Sequence, residues 1–183
     1  MHQHDARISR EICEAARVLR WPVLYDVMGE TSIVEILARE YPDVSFIIPH
    51  LGSFADDWRA QTAFIGILER YANIYTDTSG VRRFDLLEEA VHRAGAGKIL
   101  FGSDGPWLHP GVELAKVRAL HLSRSDEARV AGGNLLRLLR HASPRIDARV
   151  ARRSTPHTQV AHELSAAAGI SSGDPWAGSA FIP

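Results

Sequence analysis

The segment Val44-Ser45-Phe46-Ile47-Ile48 is a nearly unbroken apolar run that ends at Pro49-His50. Such a run marks a strand buried on both faces, which is the signature of a parallel sheet covered by helices. Three more segments fit the same role: Val23 to Val27, Asn73 to Asp77, and Lys98 to Asp104. Strands are therefore predicted at 22–27, 44–49, 73–77 and 98–103. Between and around them, apolar residues recur at helical spacing. Ile8, Ile12, Ala15, Ala16 and Leu19 form one such set, with Ser9 as its N-cap, and Ile33, Ile36, Leu37 and Tyr41 form another. Phe64, Ile67, Leu68 and Tyr71 share a face of a helix over about 56–71, and Leu87, Val91 and Ala94 a face of one over 84–94. Two last helices are predicted near 112–122 and 126–139, the second interrupted at Gly132-Gly133. Trp21-Pro22, Pro42 and the Gly95/Gly97 pair stop helices where each strand must begin. Alternating strand and helix implies α/β architecture with right-handed crossovers. Periodicity leaves open whether these four βα units form a doubly wound sheet or part of a (β/α) barrel.

Composition narrows the class. Of 183 residues, 45% are hydrophobic, enough for a packed core. Lys and Arg number 21 against 22 Asp and Glu, a net charge of −1. That balance lacks the basic surplus of a nucleic-acid binder or a polybasic membrane-surface protein. No apolar stretch approaches the roughly 20 residues that span a bilayer, and the first ten residues, MHQHDARISR, contain no signal-peptide core. A cytoplasmic location with a small-molecule substrate is the expectation, without nucleic acid or membrane. The single cysteine, Cys13, excludes an intramolecular disulfide and a cysteine-built zinc site. From Ala142 onward the composition shifts to Arg, Ser, Thr and Pro with few large apolar residues, so 1–141 reads as the domain and 142–183 as a tail of low order.

Active sites of parallel α/β folds lie beyond the C-terminal ends of the strands. The four predicted ends carry Tyr25-Asp26, His50 with Gly52, Asp77-Thr78, and Asp104 with Gly105. Imidazole and carboxylate groups can bind a divalent ion, and a carboxylate can take a proton from its bound water. His50 and Asp104 are the catalytic candidates, with Asp104 and Asp26 as candidate metal ligands. Asp77-Thr78-Ser79-Gly80 fits either a site or a simple turn. Arg82 can grip a substrate carboxylate by paired hydrogen bonds, or be half of a solvated Arg82-Arg83 pair. Trp107 and His109, in the loop after Asp104, are further candidates for lining a substrate pocket. His2 and His4 form an H-x-H, but it precedes a helix instead of following a strand.

The segments Pro22-Val-Leu-Tyr-Asp26, Ile48-Pro-His50-Leu-Gly52-Ser53, Tyr75-Thr-Asp77-Thr-Ser-Gly80, Ile99-Leu-Phe-Gly-Ser-Asp104-Gly-Pro106 and Gly133-Asn134-Leu-Leu-Arg-Leu-Leu139 together resemble the amidohydrolase-related family. The resemblance runs from about Ala6 to Arg140. That family holds metal-dependent hydrolases and decarboxylases of the aminocarboxymuconate-semialdehyde decarboxylase type. It implies that the four strands are the second half of a (β/α)₈ TIM barrel. It further implies that His50 polarises or protonates the substrate, and that Asp104 binds metal and acts as base toward water. Asn134 falls in a terminal signature that starts the last helix.

Two departures accompany the resemblance. The family usually places a metal-binding His where this chain has Asp26; a carboxylate there favours a metal harder than zinc. The H-x-H of the family's first strand has no counterpart, and the barrel portion is far shorter than the roughly 250 residues a TIM barrel needs. A C-terminal fragment is the expectation. Three readings follow: a metal-dependent hydrolase with Zn²⁺ or Mn²⁺, a non-oxidative carboxy-lyase, or a non-catalytic fragment that pairs through its strand edges with itself or with a partner half-barrel.

Overall fold

A computed structural model describes residues 6–54 and 57–142. His2, His4 and residues 143–183 of the expected tail lie outside the described residues. The sheet has four strands, β1 (Val23–Leu24), β2 (Phe46–Ile48), β3 (Ile74–Asp77) and β4 (Ile99–Leu100). They lie in the order β1-β2-β3-β4 and every neighbouring pair is parallel. Phe46 stands opposite both Val23 and Ile74, and Thr76 opposite Ile99. The ladders are shorter than the predicted strands: β1 ends before Tyr25, and β4 ends before Phe101, whose N–H donates to Val130 O instead of to a strand.

Helices fill every connection: α1 (Ala6–Leu19), α2 (Thr31–Glu40), α3 (Trp58–Arg70), α4 (Phe84–Ala94), α5 (Pro110–Ala119), α6 (Arg124–Ala128) and α7 (Asn134–Leu139). Side chains supply three of their starts. Asp57 accepts from Ala60 N–H at 3.2 Å, His109 from Gly111 N–H at 3.1 Å, and Ser123 from Asp126 N–H at 3.2 Å. The helix predicted over 84–94 has those bounds. The first helix starts ahead of Ser9, and its core face is Cys13 and Ala16, with Ile12 half-exposed. In α2 the core face is Val34, Leu37 and Ala38, while Ile36 turns outward. The predicted break at Gly132-Gly133 is a widened π-type turn over Arg129–Gly133.

Alternation along each strand gives the sheet two apolar faces. Phe46, Ile48, Ile74 and Ile99 join Phe64, Ile65, Leu68 and Leu87 in the main core. Ile47, Tyr75 and Leu100 form a second cluster against which Leu138 packs. Both faces are buried along β2, β3 and β4, while in the edge strand β1 Leu24 is exposed. Among the described residues no helix is long and apolar enough to cross a membrane.

At the N-terminal edge the sheet is tied by polar clamps. Asn73 Nδ2 donates to Tyr41 O and Val44 O at 3.0 and 3.1 Å. Lys98 Nζ donates to Tyr71 O, Ala72 O and Ile74 O at 2.7, 2.7 and 2.9 Å. Burial, with some repulsion from Arg137, pushes the Lys98 ammonium down to about 8, yet its three carbonyl acceptors each need one of its protons. Asn134 is 1% exposed and donates to Ala96 O and Ile99 O at 2.8 and 2.7 Å, so it fastens α7 to β4. Its expected role at the start of the last helix is thus structural. Replacing Asn134 by Ala leaves Ile99 O without this donor and Ala96 O with the Ile99 N–H alone, and chemical denaturation should show a loss of about 1–3 kcal/mol, the cost of one orphaned buried group. A loss under about 0.5 kcal/mol would show that the clamp does not hold the helix.

Candidate active site

The residues after β2 adopt an unusual backbone. His50 has φ 59° and ψ 29°, Leu51 has φ 53° and ψ 36°, and Gly52 has φ 86°. All three are left-handed, and two carry side chains, at a cost of about 1–2 kcal/mol for each non-glycine residue. The turn persists because its surroundings over-determine it. Leu51 N–H donates to Thr76 Oγ1 at 3.2 Å, and that hydroxyl donates to Ile48 O at 2.7 Å. Gln61 Nε2 donates to His50 O and Ser53 O at 3.3 and 2.8 Å. Gly29 N–H donates to Gly52 O at 2.9 Å. Gly52 also has no room for a Cβ, which would lie 2.9 Å from the Phe64 ring.

Asp77, the last residue of β3, is the hub. Its Oδ1 accepts from His50 N–H at 3.2 Å, Ser79 N–H at 3.0 Å and Ser79 Oγ at 2.7 Å. Its carboxyl presses on Gly102, where an added Cβ would stand 2.7 Å from Cγ and Oδ2. Asp77 therefore closes an Asx turn toward Ser79 and braces the residue that follows β2.

His50 is buried, and its Nδ1 lies 2.8 Å from Ser79 O and 3.0 Å from Ser79 Oγ. A carbonyl oxygen only accepts, so Nδ1 carries the proton and donates it to Ser79 O, which leaves Nε2 uncommitted among the described residues. Phe54 meets the imidazole edge-to-face, with centroids 5.0 Å apart.

Asp104 lies four residues after β4, is partly exposed, and is itself left-handed at φ 50°. Its carboxylate accepts no hydrogen bond from the described residues, while its carbonyl accepts from Trp107 N–H and Leu108 N–H. Asp26, two residues after β1, is exposed, and its Oδ1 accepts from Met28 N–H at 2.9 Å. Arg82 is exposed beyond the β3 turn, beside an Arg83 that pairs with Asp85. Trp107 is 85% exposed, and His109 spends Nδ1 on the α5 cap. The topology places Asp26, His50, Asp77 and Asp104 at the same end of four adjacent strands. It joins His50 to Asp77 and Ser79 by hydrogen bonds, and no hydrogen bond links His50, Asp104 and Asp26 to one another.

Residues beyond the catalytic, metal and substrate candidates complete the site: Ser79 and Thr76, read only as part of a strand end and turn, and Glu113, which sequence reasoning passed over. Ser79 is 2% exposed and Thr76 fully buried. Glu113, 5% exposed, accepts from Gly80 N–H at 3.2 Å and pairs with Lys116 at 2.7 Å. A hydroxyl after a strand-end Asp signals an Asx turn, but nothing local in the α5 sequence signals that Glu113 points inward.

A divalent ion in a catalytic site takes three protein ligands and an open position. Among the described residues no group of three or more His, Cys, Asp and Glu side chains could hold a metal ion. Asp104 offers a carboxylate, Asp26 has an oxygen committed to its turn, and His50 has Nδ1 committed to Ser79. The described residues do not by themselves fit a resident metal.

Gly80 tests how tightly this corner is built. Its φ is +63°, and an added Cβ would stand 2.5 Å from Phe54 and 3.3 Å from His50 Nδ1. Gly80→Ala should lower stability in urea unfolding by about 2 kcal/mol or more, combining the left-handed penalty with the clash. Adding Phe54→Ala should recover part of that loss. An unaltered midpoint in the single variant would refute the close packing.

The sequence matches the amidohydrolase family over residues 1–141. Solved structures with the same fold include a TIM-barrel protein from Bordetella bronchiseptica, 17% identical with a TM-score of 0.65, over 78% of this chain and 53% of that one. Amidohydrolase 2 from Bifidobacterium longum subsp. infantis is 19% identical with a TM-score of 0.58, over 70% and 53%. A dihydroxybenzoic acid decarboxylase from Polaromonas sp. JS666, solved with manganese and 2-nitroresorcinol, is 18% identical with a TM-score of 0.52, over 71% and 53%. The chain thus spans about half the length of these proteins. A search of curated proteins finds no match. The parallel βα order, the sheet and the matched residues agree: the chain belongs to the amidohydrolase family, and its four strands have the fold of part of a TIM barrel.

Proposed function

We propose that this chain carries the acid–base part of a hydrolytic centre that cleaves a C–N or C–O bond, and that further strands complete the barrel around it. The observation that carries this reading is that His50 at φ 59° and Asp104 at φ 50°, two of six non-glycine residues with positive φ among the described residues, follow β2 and β4. Non-glycine residues held in this conformation collect at functional sites. Here they are a buried imidazole with one nitrogen fixed and a carboxylate that no described residue neutralises.

The chemistry divides between them. Asp104 takes a proton from water as the water oxygen bonds to the substrate's carbonyl carbon. His50, taking a second proton at Nε2 while its Nδ1–H stays on Ser79 O, donates a hydrogen bond to the carbonyl oxygen, where negative charge develops. Collapse of the tetrahedral adduct breaks the C–N or C–O bond, and the proton on Asp104 passes to the leaving group. Arg82, Trp107 and His109 are the substrate-contact residues of this reading, His109 through Nε2 while its Nδ1 caps α5. Asp104, with Asp26 as a weaker contributor, is this chain's share of a Zn²⁺ or Mn²⁺ site whose remaining ligands come from the completing strands. In the described sheet, β1 and β4 each pair on one side only, and Leu24 is 66% exposed, which supports a partner segment at those edges.

The test is a calorimetric titration of the purified chain with Zn²⁺ and Mn²⁺, followed by an ester and amide substrate panel that includes aromatic carboxylic acids. The chain alone should bind either ion weakly and show little turnover. A supplied half-barrel bearing an H-x-H on its first strand should restore both, and His50→Ala or Asp104→Ala should then lower turnover by about 10²-fold or more. Tight stoichiometric binding with turnover by the chain alone would overturn the need for further strands. Release of CO₂ in place of hydrolysis would replace the hydrolase with a lyase.

A further inference from the structure

Glu113, buried, and Lys116, half-buried, form an ion pair on α5, a helix that contributes none of the strand-end residues. Their side chains are 7% and 20% exposed. Burying such a pair is expensive, and an apolar pair of similar volume would pack α5 at least as well. Its contacts show what the charges are spent on. Lys116 Nζ directs its three protons to Glu113 Oε2 at 2.7 Å, Thr78 O at 3.0 Å and Val81 O at 3.0 Å. Glu113 Oε2 also accepts from Gly80 N–H at 3.2 Å. The pair therefore grips the 78–81 turn at three backbone positions.

The Gly80 N–H and the Ser79 carbonyl belong to one peptide unit, and in a trans peptide they point in opposite directions. One end of this unit faces Glu113, and the other receives His50 Nδ1–H at 2.8 Å. The carboxylate sets the peptide plane and polarises it, which makes the Ser79 oxygen a stronger acceptor. We propose that Glu113 and Lys116 are positioning residues for His50: through the Ser79–Gly80 peptide they hold its ring as the Nδ1–H tautomer, with Nε2 left for the substrate. The catalytic use of Nε2 rests on the reading above; the tautomer itself does not.

The test is ¹⁵N NMR of the histidine rings in the full 183-residue chain, above the imidazole titration range, with the His50 signals assigned by their loss in His50→Gln. The wild-type ring should show a protonated Nδ1 and a bare Nε2. The double variant Glu113→Gln/Lys116→Met removes the pair without stranding a buried charge, and its His50 signals should shift to a mixture containing the Nε2–H form, while other histidines keep theirs. Glu113→Gln alone retains an acceptor for Gly80 and should shift less, and it serves if the double variant does not fold. A wild-type His50 protonated at Nε2, or a folded double variant that keeps the wild-type pattern, would overturn the proposal. Full turnover by His50→Ala in the completed barrel would instead overturn the catalytic reading and leave the tautomer result standing.

Discussion

The left-handed turn at His50-Leu51-Gly52 exists only because β3 runs beside it in register. Three strand-end groups of β3 and its turn, the Thr76 hydroxyl, the Asp77 carboxylate and the Ser79 carbonyl, take up Leu51 N–H, His50 N–H and His50 Nδ1–H. The strain of two non-glycine left-handed residues is offset by these bonds and by Gln61 from α3. Parallel pairing is what makes this possible. It aligns the C-terminal ends of neighbouring strands, so polar residues that terminate one apolar run meet those terminating the next.

This arrangement separates the work of the two ends of the sheet. At the N-terminal edge, Asn73, Lys98 and Asn134 satisfy carbonyls and bind helices to strands. At the C-terminal edge, the same kinds of bond hold the His50 ring and leave its Nε2 uncommitted, while the Asp104 carboxylate accepts no hydrogen bond from the described residues. That is the division between stability face and functional face expected of a barrel built from βα units.

Much of the fold is legible in the sequence because burial on both faces leaves a direct trace. The four apolar runs, their order and the helix over 84–94 follow from periodicity and from Pro and Gly stops. Strand length is less legible, since Tyr25 still donates to Ile47 O beyond the two residues of β1, and Phe101 to Asp104 continue the apolar or extended pattern after pairing has ended. The core faces of α1 and α2 are also offset from the apolar count: Ile12 and Ile36 sit outward while Cys13 and Ala38 sit inward. Within the site, His50 and Asp104 stand out by position, at strand ends before glycine. The support around them is written in long-range contacts. Ser79 reads as a turn residue and Glu113 as a helix surface charge until the tertiary fold brings one peptide between them.

The central claim is that the His50 corner is pre-organised by bonds across strands, and amide hydrogen exchange tests it most directly. The amides of His50, Leu51, Ser79 and Gly80 each donate to a side chain of another segment or of the strand end: Asp77, Thr76, Asp77 and Glu113. They should exchange as slowly as the amides of β2 and β3, through global unfolding. Exchange of these four amides at the rate of exposed loops, with β2 and β3 still protected, would contradict the account.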